Sequence, residues 1–112
     1  MNTKSKIKID TQKIIQIVCD VYKFTFDDID IKRRFRKMVE ARYAIIHFVN
    51  KYNNENLTLQ DIGILFRHVA YDYSTVAYAL RKFKELVRFD KYVKRRCDLI
   101  EDEIKTTALK EN

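Results

Sequence analysis

Proline is absent from this chain of 112 residues, glycine occurs once, at Gly63, and there is no tryptophan. So few turn-forming residues argue against a many-stranded β fold and for long helices, so an all-α domain of five to six helices is expected. No apolar run approaches the roughly 20 residues that span a bilayer. The opening MNTKSKIKID is too polar for a secretory signal. Cysteine is also scarce. Cys19 and Cys97 each fall at an apolar position of an expected helix, which points to reduced thiols in a cytoplasmic protein, with a disulfide as the alternative. Two cysteines and two histidines without close pairing give no zinc pattern, and neither metal nor cofactor is expected. The Gly-x-x-x-x-Gly-Lys phosphate loop is missing too, so ATP hydrolysis is excluded for the chain as given.

What is plentiful is positive charge, +7 overall, and it is unevenly placed. An acidic stretch with Asp20, Asp27, Asp28 and Asp30 is followed at once by Lys32, Arg33, Arg34, Arg36, Lys37 and Arg42. A second basic region runs from Arg81 through Arg96. Any single lysine here is best read as a solvated helix face. The cluster at 32–37 lies where helical periodicity lapses, so its side chains project freely, and the two clusters together suit a phosphate-contacting surface.

The apolar spacing places a first helix over residues 11–22, capped by Asp10 or Thr11 and lined by Ile14, Ile17, Val18 and Val21. A loop with one helical turn near 27–31 follows. The next helix covers 36–52, with Met38, Ala41, Ile45, Phe48 and Tyr52 in register. Thr58 and Asp61 form a capping-box pair ahead of a helix whose inner face is Leu59, Ile62, Leu65 and Phe66. Residues 67–71 make a turn, and Asp72 caps a helix that turns Val76, Leu80, Phe83 and Val87 inward. A final helix carries Phe89, Val93, Cys97, Ile100 and Ile104. Residues 1–9 read as a basic tail, 10–107 as the domain, and 108–112 as a loosely ordered end, with the loosening beginning at 106.

Residues 57–83, LTLQDIGILFRHVAYDYSTVAYALRKF, thus have the layout of a helix-turn-helix, in which the second helix brings its N-terminal end to base edges. That helix leaves Tyr73, Ser74, Thr75, Ala77, Tyr78, Arg81 and Lys82 outside. Its first positions are short, so it can approach a major groove closely, with hydroxyls for bases or phosphates and methyls for thymine. An ordinary capped helix start fits the same residues about equally well.

These residues resemble the C-terminal DNA-binding domain of the bacterial replication initiator DnaA, which carries a helix-turn-helix of the Trp-repressor type. The likeness extends over about residues 13–104. KRRFRKMVEARYAII is similar to the family's basic loop and following helix, LTLQDIGILF to the first helix of the motif, and DYSTVAYALRKF to its signature Asp-His-Thr-Thr-Val, two residues, Ala, one residue, Arg-Lys. The resemblance implies roles. Arg34 corresponds to the basic-loop arginine that enters the minor groove, with Arg36 in the same loop. Arg42 corresponds to an arginine on the next helix that touches DNA. Leu59 and Gln60 lie where the first helix of the motif meets the backbone. Asp72, Ser74, Thr75 and Ala79 occupy signature positions, Tyr73 replaces a base-reading histidine, and Lys82 matches a basic residue near the helix end. The family's Gly-Gly-Arg turn is replaced by RHVAY, and Tyr43 stands for a glutamine.

The function implied is a free-standing, sequence-specific binder of double-stranded DNA in replication or transcription control, or an excised fragment of one. The altered turn and Tyr73 imply a target different from the usual initiator box. An alternative is a protein-interaction module on the same scaffold, motivated by Tyr71, Tyr73 and Tyr78. A third reading comes from Arg42 and His47, which have the Arg-x-x-x-x-His spacing of HEPN-type ribonucleases. Such a motif is short and arises often by chance, Tyr43 stands where those enzymes usually carry a polar residue, and a helix histidine that packs or faces solvent is the better account.

Overall fold

The computed structural model describes residues 7–111, so residues 1–6 of the expected tail and Asn112 lie outside the described residues. Six helices follow one another among them: α1 (Thr11–Tyr22), α2 (Phe26–Ile29), α3 (Arg36–Lys51), α4 (Leu59–Gly63), α5 (Tyr73–Phe89) and α6 (Lys91–Glu111). No strand occurs among the described residues.

Each start has a local cause. The Asp10 carboxylate accepts from the Lys13 amide at 2.8 Å, and Asp72 accepts from the Thr75 amide at 2.8 Å. Thr25 with Asp28, and Thr58 with Asp61, close reciprocal capping boxes on α2 and α4. α3 is the central helix. Its residues from Glu40 to Ile46, with Phe48 and Val49, are buried nearly all round, and α1 and α5 pack on it most extensively. α6 lies across α1 and α5, seating Val93, Ile100, Ile104 and Ala108 in the core.

Four departures from the sequence pattern have physical reasons. α4 ends at Gly63 instead of running through Phe66, because the amides of Arg67, His68 and Val69 bond to the side chain of Asp30 and not to carbonyls one turn back. In α5 the buried stripe is Val76, Ala79 and Phe83, with Leu80 and Val87 only partly covered. Phe89 belongs to the end of α5 and is 77% exposed. The chain breaks at Asp90, which closes α5 and whose carboxylate accepts from the Tyr92 and Val93 amides at the start of α6. Finally, residues 106–111 continue α6, with Ala108 buried, since its small side chain extends the inner stripe of Ile100 and Ile104. At the other end Ile9 is buried, and Asn54 donates to the carbonyls of Ile7 and Ile9.

Both cysteines are free, Cys19 buried and Cys97 half-buried. Burial first, and the neighbouring Asp20 and Asp28 next, push the Cys19 thiol up to about 11, which keeps it unreactive. No helix among the described residues is long and apolar enough to cross a membrane.

Candidate nucleic-acid interface

α4, the turn after it and α5 form the helix-turn-helix, and the basic segment 31–35 leads into α3. Gly63 lets the two helices meet. A Cβ built there would lie 2.2 Å from the carbonyl oxygen of Tyr71 and 3.1 Å from Val76 Cγ2, so α4 rests directly on the backbone entering α5. The turn itself contains no glycine, and Ala70 takes the left-handed conformation at φ 53°. That geometry is unfavourable for a residue with a Cβ and has to be held by its surroundings.

The hold comes from Asp30, which is 2% exposed. Its Oδ1 accepts from the His68 and Val69 amides at 3.0 and 3.2 Å, and its Oδ2 from the Arg67 amide at 3.1 Å. Successive amides converging on one carboxylate make an anion nest supplied from inside the protein. In the sequence Asp30 reads as one of several acidic residues. Its distinguishing sign is position, one residue past an apolar Ile29 that is itself fully buried.

Arg42 is the second surprise. The expected DNA contact is 3% exposed. Its guanidinium donates to the carbonyls of Ile29 at 2.9 Å, Ile31 at 3.3 Å and Arg33 at 2.8 Å, and through Nε to the Tyr71 hydroxyl at 2.6 Å. Its donors are committed to the protein, so it supports the basic segment from beneath. Ala79 is likewise withdrawn from the surface, being fully buried between α5 and the core. As direct contacts these two expectations are corrected. Tyr71 is half-buried and spends its hydroxyl on Arg42, so it does not stand with Tyr73 and Tyr78 as an exposed tyrosine.

The remaining expected residues reach the surface, Leu59 while also packing partly against the core. Arg34, Gln60, Asp72 and Ser74 are exposed, Leu59, Thr75 and Lys82 are half-exposed, Arg36 has 86% of its side chain open, and Tyr73 is 62% exposed. One groove between the start of α3 and α5 brings Arg34, Arg36 and Lys82 together, with Tyr43 and Tyr78 among its walls. Arg36 lies 3.5 Å from Asp90, and Lys82 lies 3.7 Å from Glu85. Both are exposed pairs, worth little in water, and both cations can exchange partners for phosphate. At the helix start the Asp72 carboxyl is held below its ordinary range by the Thr75 backbone amide first and the Thr75 hydroxyl second. The recognition helix therefore begins with an ionised cap whose negative charge is partly spent on its own amides. Sequence reasoning assigned no role to Tyr43, whose ring meets Tyr78 edge-on at 6.2 Å. Its replacement of the family's glutamine marked it.

His47 and Arg42 do not form a ribonuclease pair. His47 packs against Phe48 and Phe83, ring centroids 4.8 and 5.0 Å away. Burial first, then the charges of Lys51 and Lys84, lower it from 6.5 to about 4. A depressed folded pKa means that folding requires the neutral ring. Its stabilisation is complete above pH 6.5 and is lost as pH falls through 4. The stability advantage of the wild type over His47→Leu, measured from urea midpoints, should therefore shrink from pH 7 to pH 4. A constant difference over that range would show that the ring is not buried neutral. No group of three metal-ligating side chains gathers among the described residues.

Two amphipathic helices meeting at a glycine contact, with the second helix open at its N-terminal end and flanked further along by a groove holding Arg34, Arg36 and Lys82, define a helix-turn-helix protein. The family model described as "Bacterial dnaA protein helix-turn-helix" matches residues 11–83, and the chain belongs to that family. Over 98 residues it is 30% identical to the chromosomal replication initiator protein DnaA of Mycoplasma capricolum subsp. capricolum, a stretch that covers 88% of this chain and 21% of that protein. The chain thus spans about a fifth of the length of this relative. The matched residues stop at 83, within α5, so the rest of α5 and α6 lie beyond them.

Proposed function

We propose that the chain is a sequence-specific double-stranded DNA-binding module of the replication-initiator type, acting in the compartment that holds the DNA. α5 enters the major groove with Tyr73, Ser74 and Thr75 leading, Arg34 enters the adjacent minor groove, and Arg36 and Lys82 take backbone phosphates. Leu59 and Gln60 meet the backbone from the start of α4. Arg42 and Ala79 serve beneath the surface, the first by holding the basic segment and the second by letting α5 pack closely.

The observation that carries this reading is the single groove that gathers Arg34, Arg36 and Lys82 along the flank of α5, from Tyr78 onward, on the helix whose first residues Tyr73 and Ser74 are exposed. Cations spaced along a groove suit the phosphates flanking a minor groove, and the short side chains of Ser74 and Thr75 allow close approach to base edges. Tyr73, bulkier than the family's histidine and without its ring nitrogens, shifts the preferred bases away from the usual initiator box. The protein-interaction reading is weakened by the loss of Tyr71 from the exposed set.

Selection from a random duplex library should return a consensus. Arg34→Ala should weaken binding to that consensus by about 10- to 100-fold, and Lys82→Ala should weaken all duplexes alike and flatten the salt dependence by about one unit of slope. Thr75→Ala should relax the preference at one or two positions. Retention of full affinity and preference by both Arg34→Ala and Thr75→Ala would exclude this mode of reading.

A further inference from the structure

We infer that Asp30 and Arg42 lock the basic segment and the helix-turn-helix into one rigid unit, so that sequence selectivity depends on two buried positioning residues that touch no DNA. The selectivity half of this inference rests on the duplex-reading proposal above. The rigidity half does not.

The geometry is a closed circuit. Asp30 sits in the segment that leads into the basic loop, and its carboxylate binds three amides of the turn between α4 and α5. Arg42, on α3, grips the same segment through the carbonyls of Ile29, Ile31 and Arg33 and grips the far end of the turn through the Tyr71 hydroxyl. Segment 29–33, turn 67–71 and the guanidinium are thus tied pairwise, each to both others. Asp30 and Arg42 are 2% and 3% exposed, so their own charged groups have little access to water, and breaking these bonds leaves a buried carboxylate or guanidinium short of partners.

The ends of the circuit are the reading elements. Arg34 follows the gripped Arg33 directly. Asp72, the cap of α5, follows the gripped Tyr71, with Tyr73, Ser74 and Thr75 next. Two segments more than 30 residues apart in sequence are therefore held at one spacing, and minor and major grooves also present their edges at a set spacing. A protein that fixes the match before binding avoids the ordering cost on binding. The strain of Ala70 at φ 53° shows what the lock opposes: without the Asp30 nest, a turn lacking glycine is held left-handed there only by local contacts such as the Ala70 amide bond to the Phe66 carbonyl at 2.7 Å. Phosphate attraction is less demanding, because it is the same for every base sequence and so survives in a scrambled duplex.

Asp30→Asn separates these terms. It raises the net charge by one, so weaker binding cannot be ascribed to lost cations. Its amide keeps one acceptor oxygen but turns donors toward a turn that offers only donors. In the free protein, exchange of the Arg67, His68 and Val69 amides should quicken at least 10-fold, and backbone order parameters should fall at residues 32–35 as well. Arg42→Lys, which keeps the charge but loses the planar fork, should loosen the same two segments. On DNA, the affinity ratio of selected to scrambled duplex should drop at least 10-fold while scrambled-duplex affinity holds or rises. Loosening confined to 67–69 would overturn the coupling, and an unchanged affinity ratio would overturn its role in selectivity. If the wild type bound no duplex, the DNA reading would fail while the relaxation comparison still decided the coupling. Tyr71→Phe removes only the hydroxyl between turn and guanidinium, and it carries the same comparison should Asp30→Asn not fold.

Discussion

Gly63→Ala is expected to destabilise the fold by about 3 kcal/mol, against the usual trend for such a change. In a helix, alanine ordinarily outranks glycine by about 1 kcal/mol, and Gly63 is the last residue of α4. The space decides otherwise. The added methyl meets the Tyr71 carbonyl oxygen at 2.2 Å and its carbon at 3.1 Å. The obstacle is backbone, so no side-chain rotation relieves it. The chain at Tyr71 cannot yield cheaply either, because that residue is pinned by Arg42 on one side and by the Asp72 cap on the other. α4 must therefore lift away from α5, opening an interface in which Ile62 of α4 and Val76 of α5 are both fully buried. A loss of that size lowers the melting temperature of a domain this long by roughly 10–15 °C. Ile64→Ala, one residue on and 62% exposed, is the control and should change stability by less than about 0.5 kcal/mol. A Gly63→Ala protein that melts within 2 °C of the wild type would show that α4 is not seated as described.

The parts of this architecture that could be read from sequence are those whose causes are local. Asp10, Thr58 with Asp61, and Asp72 announce helix starts within three residues of the groups they bind, and all of them cap as expected. α1 and α3 follow from apolar spacing alone. The misreadings concern residues whose partners are distant. Arg42 reads as a surface cation because nothing in its neighbourhood announces carbonyls 9 to 13 positions back and a tyrosine 29 positions on. Asp30 reads as one more acid in a run because a charge pattern carries no information about burial. Phe89 reads as part of the inner face of the last helix because Asp90 looks like any polar residue, whereas Asp90 ends one helix and begins the next. In α5, a stripe drawn through Val76, Leu80 and Phe83 omits Ala79, a small side chain that periodicity of hydrophobicity undervalues and that close helix packing requires. The candidate interface was therefore legible in its exposed cations and in the short residues of α5. Its buried support was not legible, because support depends on contacts between segments that only the fold brings together.

The same reasoning gives a sharp expectation for α6, which lies beyond the residues shared with the family model. Its attachment to the core includes a buried polar knot. Glu40, 6% exposed, accepts from the Tyr22 hydroxyl and takes a two-pronged grip from Arg96, with Nε at 2.8 Å and Nη2 at 2.9 Å. The Arg96 guanidinium also lies over the Tyr22 ring, 5.4 Å from its centroid. Burial first, then the bond to Glu40, raises the Tyr22 phenol far above its ordinary value, so it acts as a permanent donor. The partners are not equivalent. Arg96 keeps a quarter of its side chain open to water, whereas the Glu40 side chain is 7% exposed. Arg96→Met preserves the apolar stem over Tyr22 but strands the carboxylate with one neutral donor, and should cost about 3–5 kcal/mol. Glu40→Leu lets Arg96 swing outward and leaves only the Tyr22 hydroxyl unpaired, for about 1–3 kcal/mol. Combined, the two changes replace an ion pair with two apolar side chains and should cost less than Arg96→Met alone. Urea denaturation of the four proteins in this cycle measures the coupling. A double variant whose loss equals the sum of the single losses would mean that Glu40 and Arg96 contribute independently, and that the knot does not fasten α6 to α3.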